Sequence, residues 1–394
     1  MSPNQPVVVS VIVPVYNAGA FLRRTLDCIC GQTLRDIEII LVDDGSTDDS
    51  RSIQQEYAAR DPRIILLQQE HEYAGVARNK GMAIARGKYY SFLDADDLFE
   101  PTMLEKMVAR AEAVEADVVV CRCDIFYKEG EYSPLNWQIH DRCLSELDRR
   151  KFSLKAEHPQ AAFQTFIGWA WDKLFRADYV KEKGFSFGAT RHGNDAPFVF
   201  PAMAAADCIS IIDESLVKYR KSAEQISAAG NVARNVTACC TCMETLRAEL
   251  HRLGAGEGVW QSFHIWCAHY INWNMNKLPQ PKREELLEHL LSTFEPEMQL
   301  LSKLEQLPPG ELPTVYEREI SLYRALLTAP EQWRRALSPQ KRTPFPLCLF
   351  YRNTPTKTSY RFLGLPLWSI TRKGGSTTHR LLGIRLSTTR RSSI

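Results

Sequence analysis

The sequence predicts an α/β fold: a mostly parallel sheet with flanking helices, then a helical C-terminal region and a basic tail. Three observations predict it. Residues 7–127 alternate β-branched runs with amphipathic stretches, the pattern of strands and helices layered on one sheet. Residues 231–337 carry helix-spaced apolar positions, broken by Pro and Gly at 279–281 and 308–310. Residues 341–394 hold 11 Lys and Arg and no Asp or Glu, so a net charge of +2 hides −9 on the first 340 residues.

The elements follow in order. Residues 7–15 form an almost unbroken β-branched run, as expected of a strand buried on both faces. Phe21, Leu22, Leu26 and Ile29 share one helix face. Residues 37–42 are a second strand, and 43–48 a turn and N-cap region before a helix that runs to about Arg60. A third strand at 64–67 precedes a helix over 74–86, which Gly87 ends. A fourth strand at 89–93 is followed by a helix at 102–115 and a strand at 117–127. Residues 128–170 are less regular. Trp171 to Arg176 precede a polar loop, 184–193, and Asn194-Asp195 open an apolar helix at 197–206. Short strands are expected at 208–212 and 216–220. The domains expected are 1–225, a helical region 226–340 and the tail 341–394.

The composition, 44% hydrophobic and 24% charged over 394 residues, is that of an ordinary globular protein of two or three domains. No apolar run reaches 18 residues, so no transmembrane helix is expected, and the polar start suggests no signal peptide. Eleven cysteines without a framework of spacings suggest reduced thiols and a cytoplasmic setting. Cys121 and Cys123, and Cys239, Cys240 and Cys242, read as core or surface thiols, since neither cluster has a second pair at zinc spacing.

The chemistry concentrates at Asp94-Ala95-Asp96-Asp97, where an apolar run ends in three carboxylates. Hard, oxygen-rich sites of this kind suit Mg²⁺ or Mn²⁺, above all when a diphosphate supplies further oxygens. Acidic turns after strands are common, so the motif alone is weak, and Asp97 reads as a cap for the helix starting near Pro101. Residues 13–17, 43–46 and 94–96 all follow strand ends, however, and ligands of parallel sheets bind at those ends.

These residues resemble the family 2 glycosyltransferases, which have the GT-A fold. The resemblance rests on Val11-Ile12-Val13-Pro14-Val15-Tyr16-Asn17, Val42-Asp43-Asp44-Gly45-Ser46-Thr47-Asp48, Ala77-Arg78-Asn79-Lys80-Gly81 and residues 87–97, which keep their order and spacing over 7–115. Trp171-Asp172-Lys173-Leu174-Phe175, Gly193-Asn194-Asp195, Tyr219-Arg220 and Gln225-Ile226-Ser227 extend it more weakly. It implies inverting transfer of a sugar from a nucleotide diphosphate donor to an acceptor hydroxyl. The donor would lie along Pro14, Val15, Tyr16, Asn17, Asp44, Arg78, Asp94, Ala95 and Asp96. Tyr16 would stack on a base, Asp44 would accept a uracil N3–H, and Arg78 would hold a base or phosphate oxygen. Asp96 and Asp94 would hold Mn²⁺ or Mg²⁺. Inversion needs a base opposite the leaving group, and Asp195 is the candidate, although its location also suits a helix N-cap. Asn194 stands where the family usually has Glu. Trp171, His192 and Asn194 are candidates for the acceptor side, with Trp169 and Trp171 as an aromatic wall, core packing being an equal reading for the two tryptophans.

The family's processive members carry Gln-x-x-Arg-Trp and membrane helices; with neither seen, a single-addition enzyme is expected. The basic, aromatic tail suggests docking on an anionic inner leaflet, where a lipid-linked glycan acceptor of bacterial surface polysaccharide synthesis would be met. A solvated or partner-bound tail is the other reading, and nucleic acid is not expected. Two competing functions remain: a nucleotidyltransferase acting on a sugar phosphate, and an inactive nucleotide-sugar-binding module.

Overall fold

The computed structural model describes residues 6–221, 232–307 and 314–328, and five strands between 350 and 390. Gln225-Ile226-Ser227 and the expected boundary at 225 lie outside the described residues. The chain divides into two compact units, Met1–Leu327 and Thr328–Ile394.

In the first unit, β1 (Val9–Val15), β2 (Ile37–Asp44), β3 (Ile64–Gln69) and β4 (Tyr89–Phe92) are parallel, in the order β3-β2-β1-β4. All seven residues of β1 are buried, as the β-branched run requires of a central strand covered on both faces. α1 (Gly19–Cys30), α2 (Ser50–Arg60) and α3 (Tyr73–Ile84) are the crossovers between them. β5 (Leu98–Phe99), α4 (Met103–Val114), β6 (Val118–Phe126) and β7 (Tyr132–Pro134) follow. After a short α5 (Leu154–Glu157) come β8 (Lys173–Arg176), α6 (Ala177–Lys183), α7 (Ala196–Ala205) and β9 (Ile209–Arg220). β8 runs antiparallel between β4 and β6, and β9 lies parallel to β6. Two apolar layers cover the sheet, one with Leu22, Leu26 and Met107, the other with Phe92, Phe175 and Phe198.

Three local expectations need correction. Gly87 does not end α3, which stops at Ile84; a Cβ on Gly87 would stand 2.4 Å from the Ser10 nitrogen, so close approach to β1 is what requires a glycine there. The two short strands expected at 208–212 and 216–220 are one strand, β9, whose pairing with β6 slips around Arg122, where the gap between them was read. Asp97 caps no helix: Thr102 holds that position for α4, and Asp97 is fully buried, accepting the Arg220 N–H at 2.7 Å.

The helical region comprises α8 (Ala238–Arg252), α9 (Glu257–Lys277), α10 (Gln280–His289), α11 (Glu295–Met298), α12 (Leu300–Glu305) and α13 (Thr314–Thr328). Cys239, Cys240, Cys242 and Cys267 are buried within it as free thiols. Among the described residues no helix is long and apolar enough to cross a membrane.

The second unit is an antiparallel meander of β10 (Phe350–Thr354), β11 (Lys357–Phe362), β12 (Leu365–Lys373), β13 (Ser376–Leu381) and β14 (Ile384–Arg390). The sequence reading held no strands here. Its register slips at Tyr360/Arg361 and again at His379/Arg380, 19 residues on. Leu363-Gly364 and Leu382-Gly383, which lie outside the described residues, fall between β11 and β12 and between β13 and β14, with the same spacing.

Candidate active site

The ends of β1, β2 and β4 meet at one edge of the sheet. Asn17, with φ of +48°, follows β1; its side-chain oxygen accepts the Thr47 N–H at 2.8 Å and its own N–H donates to Ser46 Oγ at 3.1 Å. The first two turns are thereby locked together. Pro14, Val15 and Ala95 are buried, so they shape the crevice through backbone. Tyr16 is 41% exposed and stacks on His71 at 3.9 Å. Beneath them Asp44 is buried, its carboxylate accepting from Gln69 Nε2 at 2.7 Å, the Glu72 N–H at 2.8 Å and His71 Nδ1 at 2.9 Å.

Arg78, one turn into α3, is 3% exposed. Its Nη2 donates to Asp94 Oδ1 at 2.6 Å, and its Nη1 to Asp195 Oδ1 at 2.6 Å and Asn194 Oδ1 at 2.9 Å. The planar fork thus ties the turn after β4 to the loop before α7, two segments 100 residues apart in sequence. The approach is enforced at the start of α3, where a Cβ on Gly75 would stand 2.0 Å from the Gly188 carbonyl oxygen. Gly188 in turn donates its N–H to the Asn194 carbonyl at 2.9 Å.

Asp195 occupies the N-cap position of α7, yet its side chain makes no cap hydrogen bond and turns to Arg78 instead. Burial pushes its carboxyl up to about 6, against the pull of Arg78. Asp97 is displaced further: burial, then the charges of Asp96 and Asp94, hold its carboxyl well above the ordinary range, and its Oδ2 is buried without a hydrogen-bond partner.

Asp94 and Asp96 are the half-buried carboxylates at this edge. Among the described residues no three Asp, Glu, His or Cys side chains form a ready cage for a metal. Two half-buried carboxylates at a strand end fit a Mg²⁺ or Mn²⁺ that takes its remaining oxygens from a diphosphate and water.

The structure therefore brings Arg78, Asp94, Asn194 and Asp195 together and sets Tyr16 and Asp44 along the same edge. It does not bring two acceptor candidates to the surface. Trp171 is 2% exposed, and His192 is 7% exposed, with both ring nitrogens buried and burial depressing its pKa. The Asn194 side chain is committed to Arg78 and to the Thr190 carbonyl. Two residues at the site escaped sequence reasoning. His71 gave no signal beyond lying just after β3. Lys173 did give one, a charged pair with Asp172 inside the apolar run from Ala170 to Phe175; both are buried, 2.7 Å apart.

An open, mostly parallel sheet that turns carboxylates from its strand ends into one crevice is the GT-A layout. S. aureus TarS shares it, with a TM-score of 0.57 at 15% identity over 95% of this chain and 64% of that one. TarS 1–349 in complex with UDP-GlcNAc gives a TM-score of 0.50 at 17% identity, over 90% of this chain and 97% of that one. The model of glycosyl transferase family 2 matches residues 10–182. The uncharacterized glycosyltransferase EpsJ of Bacillus subtilis is 34% identical over 224 residues, 56% of this chain and 62% of that protein. The glycosyltransferase GlyG of Streptococcus pneumoniae is 31% identical over 229 residues, 55% of this chain and 72% of that protein. The chain belongs to glycosyltransferase family 2, as its motifs led one to expect. It spans about three fifths of the length of EpsJ.

Proposed function

We propose that this chain is an inverting, metal-dependent glycosyltransferase that moves one sugar from a UDP-linked donor to a hydroxyl of a glycan or lipid-linked glycan, in surface polysaccharide synthesis. One observation carries the reading: a single buried guanidinium holds Asp94 and Asp195 at 2.6 Å each. The donor-side carboxylate and the base candidate are then fixed on one bolt, as a displacement with a preset line of attack needs.

The Asp195 carboxylate takes the proton from the acceptor hydroxyl. The acceptor oxygen forms a bond to the anomeric carbon, the bond from that carbon to the diphosphate breaks, and the nucleoside diphosphate leaves with the electron pair. A carboxyl raised to about 6 suits this work, because it is a stronger base than an ordinary aspartate and still ionised at neutral pH. Asp94 and Asp96 would hold the divalent cation, which when bound offsets the charge of the departing diphosphate. Tyr16 and His71 offer a flat face to the base, and Asp44 beneath them an acceptor for the uracil N3–H. TarS, which shares the fold, was solved with UDP-GlcNAc, in keeping with this donor class. The basic segment 341–394 would bring the enzyme to the inner face of the cell membrane.

The test is a thermal-shift screen of nucleotide sugars and free nucleotides with and without Mn²⁺. Metal-dependent stabilisation by a UDP-sugar or UDP is expected. If none stabilised the protein with metal present, the reading would be lost.

A further inference from the structure

Four aromatic rings run from the edge of the active site to the surface. Trp171 stacks on Tyr219 at 5.3 Å and on Trp169 at 4.8 Å, and Trp169 meets Trp137 edge-on at 5.5 Å. Exposure rises outward from Trp171: Trp171 is 2% exposed, Trp169 half-buried and Trp137 47% exposed. The inner end touches the donor side, since Arg220, the neighbour of Tyr219, donates its Nε–H to the Asp96 carbonyl at 2.8 Å. Sheet register agrees. β8 is antiparallel to β4 with Leu174 opposite Ser91, so the segment entering β8 and the acidic turn leaving β4 emerge from the same sheet end.

The two outer rings are held more firmly than exposed tryptophans need be. Gln138, fully buried next to Trp137, donates its Nε2–H to the Cys121 carbonyl at 2.8 Å, accepts the Cys123 N–H at 3.1 Å and donates to Asp172. Lys173, also fully buried, donates to the Trp169 carbonyl at 2.8 Å and to Asp172 at 2.7 Å. Both anchors therefore converge on one buried carboxylate. The Ile167 N–H donates to the Gln138 carbonyl at 3.1 Å, tying the two loops to each other. Burying this polar cluster is costly, and its visible product is a fixed pair of aromatic faces. The same pair also acts on Asp195, Lys173 pulling its pKa down and Asp172 pushing it up.

Resting on the proposed transfer reaction, we infer that Trp137 and Trp169 form a platform for a pyranose ring of the acceptor glycan, the C–H face of the sugar lying on the indoles. Flat aromatic faces fixed beforehand and half-open to solvent suit a sugar, which has one apolar face and a polar rim. Among the described residues the other exposed large apolar side chains make no ring contact with this row: Tyr132 packs on Phe126 at 5.5 Å, Tyr16 stacks on His71, and Tyr127, Ile84 and Leu291 add no ring to it.

The test is saturation-transfer NMR on the full chain with the methyl glycosides of glucose, galactose and N-acetylglucosamine, beside the thermal shift with UDP and Mn²⁺. Wild-type protein is expected to bind at least one glycoside. W137A should weaken that binding about tenfold while leaving the UDP–Mn²⁺ shift unchanged, and W137F, which keeps a ring, should retain most of it. Equal binding by W137A, or no binding by wild type to any of the three, overturns the platform. Glycoside binding lost in W137A with no nucleotide shift in wild type would strike the transferase reading and leave the platform standing.

Discussion

The donor side and the opposite side of the crevice are built by different rules. On the donor side, parallel strands each deliver their own turn, and short polar contacts such as Asn17 to Thr47 stitch the turns together. On the opposite side, Asp195, Trp137 and Trp169 sit on loops, and buried ionic groups hold them: Arg78 for the first, Asp172 and Lys173 for the others. A strand end aims its next residues largely by geometry, Asp94 alone sharing the Arg78 contact, whereas a loop needs a bolt. The donor side should therefore tolerate single losses that the opposite side does not.

The largest expected effect is chemical. Asp195→Asn should lower transfer by about 10²–10⁴-fold, the range for a lost general base, while the donor-induced thermal shift persists. Retained transfer in a steady-state assay would remove Asp195 as the base. Next comes stability. Lys173→Met leaves Asp172 buried without its cation and should cost about 3–5 kcal/mol in urea unfolding. Asn17→Gly, which suits the positive φ there and loses two neutral hydrogen bonds, both from Thr47, should cost about 1–2 kcal/mol. Equal costs would erase the distinction between the two sides. Arg78→Lys keeps a charge but loses the fork that holds both Asp94 and Asp195, and should lower transfer about tenfold to a hundredfold and weaken the metal-dependent donor shift.

The pH profile sharpens the point. If Asp195 is the base it acts ionised, and with burial placing its carboxyl at about 6, transfer should be flat above that pH. It should fall about tenfold per unit below it. In Arg78→Lys the weaker attraction should move the midpoint upward; a midpoint unmoved in a rate–pH series would separate Arg78 from the base. The smallest effect concerns the second unit. Full-length protein should float with anionic vesicles and a 1–340 truncation should not; equal flotation would remove the tail from membrane docking.

The same contrast explains what the sequence made legible. The run 7–15 and the acidic turn at 94–97 announce themselves, because each is written in consecutive residues. Asp195 entered only as a candidate, through motif order, and its tie to Arg78 spans 117 positions and leaves no local pattern. Asp97 looked like a helix cap because its neighbours did; only the return of β9 shows it buried against Arg220. For Trp169 and Trp171 a wall and core packing were equal readings in the sequence; Trp171 is buried, and Trp137 meets Trp169 from outside. The C-terminal strands were not legible because their basic and polar residues carry little alternating apolar pattern, although Leu-Gly recurs at 363 and 382, between β11 and β12 and between β13 and β14.

The twin register slips in that meander have a consequence for how the segment can grow. Among the described residues each strand pairs only with its sequence neighbours, and the slip recurs after 19 residues, so the unit is built as a tiled ribbon. Such a ribbon can gain or lose whole tiles at its free edge without disturbing the tiles that remain. Its length is then an adjustable dimension of the protein, set independently of the catalytic core.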